Sequence, residues 1–251
     1  KDHDFRVESN DNANAIFVNG ATNSVTIGAS GTVSSIAGVN VLFEANSIFI
    51  GDDVSGTTDT AANSVAFGID ALDAVTTGDA NVALGKSTLS GNTTGGNNIA
   101  IGNQALNAPD TESNNLAIGS NALNGSIAGG EFNVAIGNSS LAALTSGDDN
   151  TAVGYNAGSA LTTGSTNTAI GSNAMYEGAV TGSFNIAVGS SALRNLTTGP
   201  SNVAIGVNSL EALTTGDRNI MVGMSSGAGY DAENDNLGIG HSALGGSVAG
   251  G

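Results

Sequence analysis

Few residues of this 251-residue chain are of a type that does chemistry, and they are not spaced to do it together. His3 and His241 have no cysteine anywhere in the chain and no carboxylate at ligand spacing, so both read as surface histidines rather than zinc ligands. Serine and threonine are abundant, yet no base is placed to activate one, and no hydrolase-type nucleophile elbow is expected. The acids collect in turn-like stretches, at Asp52, Asp53, Asp79, Asp148, Asp149, Asp217, Asp231, Glu233 and Asp235. They read as a solvated acidic rim that discourages aggregation, with calcium at the turns as the alternative. The GGxGxD nonapeptide of calcium-binding repeats is missing, and its period does not fit. A carboxylate pair for glycoside hydrolysis stays open, although these turns are poor in aromatics on which a sugar could stack. Threonine pairs skip whole repeats, which argues against a flat ice-binding column. No catalytic residue, cofactor or metal ligand is expected, and the chain reads as something other than an enzyme.

One polar residue is placed with regularity. Asparagine recurs at Asn81, Asn98, Asn115, Asn133, Asn150, Asn167, Asn185, Asn202, Asn219 and Asn236, each opening a short apolar run. Stacked amides can hydrogen-bond along an axis as a ladder, and this structural role outweighs any ligand role.

The elements that position this ladder follow from the period. The stretch Asn98 to Leu106 (NIAIGNQAL) recurs with glycine at Gly51, Gly68, Gly85, Gly102, Gly119, Gly137, Gly154, Gly171, Gly189, Gly206, Gly223 and Gly240, at a spacing of 17 residues apart from two steps of 18. So short a period predicts a solenoid of stacked coils. Just before the glycine stands an apolar column that includes Ile101, Ile118, Ile136, Ile170 and Ile205. It is expected to face inward. Two before stands a column of alanines that includes Ala100, Ala117, Ala135, Ala169 and Ala204. Alternate strand residues point to opposite faces, and neither face is polar, which implies a strand covered on both sides, as in parallel sheets. One face should close the coil's own narrow core and the other should meet a second body, the small alanines permitting close approach.

A second wall follows at Leu106, Leu123 and Leu141 and their equivalents, with Leu161 and Tyr230 expected to compensate where Gly158 and Gly227 interrupt it. TTG, TSG or GG then supplies a turn in which glycine is expected to take positive φ. Each coil reads as strand, corner, short strand, turn. The two 18-residue coils contain Phe132 and Phe184, and the extra residue is expected to bulge at that corner. The organisation is thus all-β: an N-terminal β segment over 1–45, with β-like runs at Phe5 to Val7, Ala15 to Val18 and Ser24 to Ile27, then a parallel β-solenoid over 46–251. Leu244 to Gly251 matches Leu123 to Gly130, and the chain reads as a piece of a longer protein cut at both ends.

Composition narrows the function. Charged residues are 11% of the chain, against roughly 25% in ordinary soluble domains, and the formal net charge is −17. Only five residues, Lys1, Arg6, Lys86, Arg194 and Arg218, are basic, so nucleic acid is not an expected partner. Without cysteine there is no disulfide framework. No apolar run is long enough to insert in a membrane as a helix.

The strand motif at Asn63 to Gly68 (NSVAFG), Asn98 to Gly102 (NIAIG) and Asn167 to Ala174 (NTAIGSNA) resembles the head repeats of YadA-like trimeric autotransporter adhesins. That resemblance implies a left-handed parallel β-roll in a homotrimer, intertwined or side by side. The coils here are longer than in those heads and carry an added ALTTG segment. Separately, Asp4 to Ser9 (DFRVES), Ile16 to Gly20 (IFVNG) and Ser24 to Gly28 (SVTIG) resemble tail-fibre and other structural proteins of tailed phages, cyanophages in particular. Together these imply a tail-fibre segment on a virion, partnered by its own copies, by other tail proteins and by a host-surface receptor. The head of a bacterial surface adhesin is the alternative, and a different virion fibre or decoration protein a further one.

Overall fold

The structure is a computed structural model. It describes strands within residues 5–51 and the chain over 61–108, 111–125 and 129–246. Strands β1 (Phe5–Ser9), β2 (Asn12–Asn19) and β3 (Ser24–Thr26) form an antiparallel sheet at the three runs read from sequence. Strands β4 (Thr32–Ile36), β5 (Val39–Glu44) and β6 (Ser47–Gly51) pair antiparallel. From β6 onward each strand pairs in parallel with the next. These are β7 (Val65–Gly68), β8 (Val82–Leu84), β9 (Ile99–Ile101), β10 (Leu116–Ile118), β11 (Val134–Ile136), β12 (Thr151–Val153), β13 (Thr168–Ile170), β14 (Ile186–Val188), β15 (Val203–Ile205), β16 (Ile220–Val222) and β17 (Leu237–Ile239). The fold is an all-β solenoid of about 17 residues per coil, without a helix among the described residues.

Pairing is in register, so like stands on like: Ala100 pairs with Ala117, Ala117 with Ala135 and Ala135 with Ala152. Backbone bonds between coils continue beyond the strand. Ser139 N–H donates to the Ser120 carbonyl at 2.9 Å, Leu141 N–H to Ala157 at 3.0 Å and Thr145 N–H to Thr162 at 2.8 Å. The second short strand expected in each coil is instead a run of turns. What closes the coil is left-handed backbone at three positions per coil, all non-glycine except where Gly158 and Gly227 take the middle one. In one coil these are Ser139 (φ 56°), Leu141 (φ 49°) and Asp149 (φ 57°).

The two strand faces are opposite to the sequence expectation. The alanine column points into the coil, and Ala100, Ala117, Ala135, Ala169 and Ala204 are all fully buried. The column of Ile101, Ile118, Ile136, Ile170 and Ile205 points outward, with Ile170 and Ile205 each 39% exposed. The reason is volume. Leu106, Leu123 and Leu141 are buried as expected and fill the interior from the opposite wall. A Cβ placed on Gly158, which holds that leucine position, would lie 3.4 Å from Ala152 Cβ. A strand side chain larger than alanine has no room there.

Leu161 and Tyr230 are buried, but they are not local compensation. They belong to a third interior column with Val75, Leu144, Val180, Leu196 and Leu213. Where Met221 replaces an alanine, the next coil answers with Gly238, whose Cβ would meet Met221 Sδ at 2.6 Å.

Two turn expectations are also corrected. Gly129 of a GG turn takes φ 106° as expected, but the TTG and TSG glycines Gly78, Gly147, Gly164, Gly199 and Gly216 do not take positive φ. They are glycine because stacked turns nearly touch: a Cβ on Gly199 would sit 2.0 Å from the Gly216 carbonyl oxygen. The extra residue of the longer coil does not bulge at Phe184 either. Phe184 N–H bonds the Ser165 carbonyl at 3.1 Å and Ser201 N–H bonds Ser183 at 3.0 Å, the ordinary rungs of that corner. The slack is absorbed earlier, between buried Met175 and buried Val180, where Gly178 takes φ 86°. Phe132, at φ 58°, holds the same left-handed corner position as Phe184.

Candidate interaction surface

In each strand the residues before and after the buried alanine point away from the coil. They build two outward columns, Val82, Ile99, Leu116, Val134 and their equivalents beside Leu84, Ile101, Ile118, Ile136 and theirs. Across β7 to β17 only Thr151 and Thr168 interrupt the apolar run. No described residue covers it, and Ile99 (40%), Ile186 (40%) and Ile220 (44%) are open to solvent. Eleven strands spaced by about 4.8 Å, each about 10 Å wide, give a stripe of roughly 500 Å². Patches of that size on a monomer are commonly functional. Its edges are mixed: Asp149, Arg218 and Asp235 precede strand-opening asparagines and Lys86 follows a strand-end glycine, while the same edge positions in other coils hold exposed Phe132, Phe184, Ile69, Tyr155, Val207 and Met224. An apolar stripe with charge at its edges and none within it suits a protein–protein interface.

Behind the stripe runs the asparagine ladder read from sequence. Asn98 Oδ1 accepts the Asn115 backbone N–H at 3.0 Å, Asn115 Oδ1 that of Asn133 at 2.9 Å, Asn133 Oδ1 that of Asn150 at 3.0 Å, and Asn150 Oδ1 that of Asn167 at 2.9 Å. The amide nitrogens donate to turn carbonyls of the following coil, Asn98 to Glu112, Asn133 to Gly147, Asn150 to Gly164 and Asn167 to Gly182. Five of these asparagines, Asn98, Asn115, Asn133, Asn150 and Asn167, are at most 1% exposed. Each of these side-chain oxygens and nitrogens has a partner, which is what permits amides at this depth.

A second ladder was not read from sequence. One turn position presents a side-chain oxygen to an amide of the preceding coil. Asp79 Oδ1 accepts the Ala62 N–H at 2.7 Å, Asp148 Oδ1 that of Glu131 at 2.9 Å, and Asn234 Oδ1 that of Asp217 at 2.7 Å, with Ser113, Ser165 and Ser183 hydroxyls alike elsewhere. Only an Asp, Ser or Asn recurring at one offset could have signalled it. Several turn acids therefore have a partner within the chain, and among the described residues no three His, Cys, Asp or Glu groups converge as a metal site. Asp52, Asp53 and His3 lie outside the described residues.

Ion pairs stitch the C-terminal coils. Arg194 lies between Glu177 of one coil and Glu211 of the next. Arg218 bonds Asp235 with two nitrogens, at 2.6 and 2.9 Å, and also Asp217 at 2.6 Å. Its hydrogen bond and charge hold the Asp235 carboxyl below the usual carboxylate range, and the acids in turn raise Arg218.

The segment Gly223 to Gly227 (GMSSG) does fit the letters of a nucleophile elbow, which sequence reading passed over. Ser225, however, is the repeating left-handed corner, at φ 55°, shared with Asn208 (φ 56°) and Ser242 (φ 53°). His241 bonds only its neighbour Ser242, at 3.2 Å, and both are exposed. The serine is a corner of the coil, not a member of a triad. The chain matches no family model, and comparison with curated proteins and with solved structures returns no match.

Proposed function

We propose that this chain is a structural segment of a trimeric phage tail fibre, a rod that holds a receptor-binding tip away from the particle and contacts the host surface along its side as a second role. The observation that carries the reading is the outward apolar stripe of β7 to β17. Burying it against two further copies around a common axis removes it from water, and hydrophobic burial is the dominant drive to such association. The trimer number comes from the likeness of the strand motif to adhesin heads. The virion comes from the N-terminal likeness to tail-fibre proteins. The work of such a rod is mechanical and steric: coil-to-coil hydrogen bonds stiffen it, and neither disulfide nor metal is needed.

The head of a bacterial trimeric adhesin is the second reading, favoured by the NTAIGSNA motif at Asn167 to Ala174. Sedimentation equilibrium and electron microscopy test the shared core, with a trimeric rod expected and a stable monomer overturning both readings. Antibody against the solenoid then separates them. Labelling of the tails of phage particles supports the fibre, and labelling of bacterial surfaces supports the adhesin.

A further inference from the structure

We propose that the solenoid carries a built-in opening point at the coil from Gly85 to Ile101, so that the coils of β7 and β8 open as a unit separate from those that follow. This goes beyond the fibre reading and does not depend on the number of copies.

The third interior column is apolar at Val75, Leu144, Leu161, Val180, Leu196 and Leu213, but in this coil it holds Asn92. Asn92 is fully buried, and among the described residues its Oδ1 has no hydrogen-bond partner. Its Nδ2 donates to the Gly95 carbonyl at 2.9 Å, an acceptor already served by Asn81 Nδ2 at 2.8 Å. The amide thus satisfies nothing that would otherwise be unsatisfied, and it leaves an orphan oxygen in the core. The other buried polar side chains of the coil are not faults of this kind: Asn98 is a paired rung of the ladder. Thr88 Oγ1 donates to the Gly85 carbonyl at 2.9 Å. Seventeen residues on, the sequence supplies Pro109, which has no amide hydrogen in any conformation. In the coils of Leu144, Leu196 and Leu213 that amide closes a turn onto the preceding leucine carbonyl.

In a stack whose coils touch mainly their neighbours, stability is a sum of local terms, and one weak interface divides a cooperative array in two. Beyond this coil the Glu177–Arg194–Glu211 and Arg218–Asp235 pairs tie successive coils together, and Arg194 Nε and Asn195 Oδ1 there, without a partner among the described residues, belong to half-buried residues, unlike Asn92.

Native-state hydrogen exchange of the full chain, read by mass spectrometry, tests the proposal. The amides of Val82, Gly85 and Ser87, bonded to the Asn98, Phe67 and Ile69 carbonyls, are expected to exchange on the order of tenfold faster than those of Val134, Gly154 and Thr168. Because coils near an end open more readily in any case, the variants decide. Asn92→Leu is expected to slow exchange before Ile101 by about the same factor and leave later coils unchanged, since it removes the orphan oxygen. Leu144→Asn is expected to create a second opening point between Gly137 and Val153. Unchanged exchange in Asn92→Leu overturns the proposal, as does an Asn92→Leu chain that no longer folds, because the amide would then be stabilising. If Leu144→Asn fails to fold, Asn92→Leu still decides.

Discussion

Asn150 is the point at which the ladder is most simply broken. Its side chain makes four hydrogen bonds: Oδ1 accepts from Asn167 N–H at 2.9 Å and Asn167 Nδ2 at 3.2 Å, while Nδ2 donates to Asn133 Oδ1 at 3.1 Å and to the Gly164 carbonyl at 2.9 Å. In Asn150→Ala two of these groups keep another partner. Asn133 Oδ1 still accepts the backbone N–H of residue 150, and Asn167 Nδ2 still donates to Gly182 at 3.0 Å. The Asn167 N–H and the Gly164 carbonyl lose the partners they had, and both residues are buried. At about 1–3 kcal/mol for each buried group left unpaired, the cost is about 4 kcal/mol. For a chain of this size that lowers the melting temperature by about 10 °C, measured by far-UV circular dichroism. Asn150→Asp separates hydrogen bonding from shape. An ionised carboxylate would face two acceptors, Asn133 Oδ1 and the Gly164 carbonyl, in a fully buried position. Its folded-state pKa is therefore raised above the ordinary value of about 3.9. The sign follows: relative to the parent protein, the variant's stability is retained below that ordinary value and lost as pH rises through the raised one. An Asn150→Ala chain that melts within about 1 °C of the parent, or an Asn150→Asp deficit that does not grow with pH, would refute the ladder as a source of stability.

Gly171→Ala puts a Cβ 2.6 Å from the Gly189 carbonyl oxygen at a residue with φ 127°. A loss of about 3 kcal/mol or more is expected by denaturant titration, because neither the backbone of the next coil nor the dihedral can yield cheaply. Ala135→Glu buries an unpaired charge in the coil and is expected to abolish folding by circular dichroism. Ile136→Glu, on the outward face, is expected to leave the coil folded and to block association in sedimentation. The Asp235 carboxyl, held low by Arg218, gives a small stabilisation that is present above the ordinary carboxylate pKa and is lost as pH falls through the lowered one; Arg218→Gln should remove that acid dependence from the melting curve. A chelator should leave the melting temperature unchanged, and a marked drop would reassign Asp148, Asp149 and Asp217 as calcium ligands.

The period, the parallel pairing, the buried leucine wall and the asparagine ladder were legible because each repeats one residue type at one offset. The third column was harder to see. Its members Val75, Asn92, Leu144, Leu161, Val180 and Tyr230 vary in type, and the 18-residue coil shifts its register at Val180. The turn ladder was illegible for a related reason: Asp79, Ser113, Asp148 and Asn234 share an acceptor oxygen and nothing else. Left-handed backbone at leucine is contrary to local preference. It is imposed by stacking, and Gly158 and Gly227, at φ 60° and 62°, are the two coils in which the sequence shows that preference openly.

Which strand face points inward could not be settled by hydropathy, because Val134-Ala135-Ile136 is apolar on both. Volume decides it. A coil of 17 residues already encloses a leucine from the opposite wall and a second large side chain from the third column, so the strand contributes alanine, and a larger Met221 only where Gly227 vacates the leucine position and Gly238 follows in the next coil. The larger apolar residues are thereby forced outward, and the strand face turned toward solvent carries bulkier apolar side chains than the strand face turned toward the core. A chain optimised as an isolated rod would reverse that assignment or place polar residues outside, as antiparallel sheets with one wet face do. Here threonine enters the outward columns only at Thr151 and Thr168, while Lys86, Asp149, Arg218 and Asp235 stand beside them and not among them. Adjacent residues of one strand thus report on different levels of structure: Ala135 on whether a coil closes, Ile136 on whether closed coils need one another.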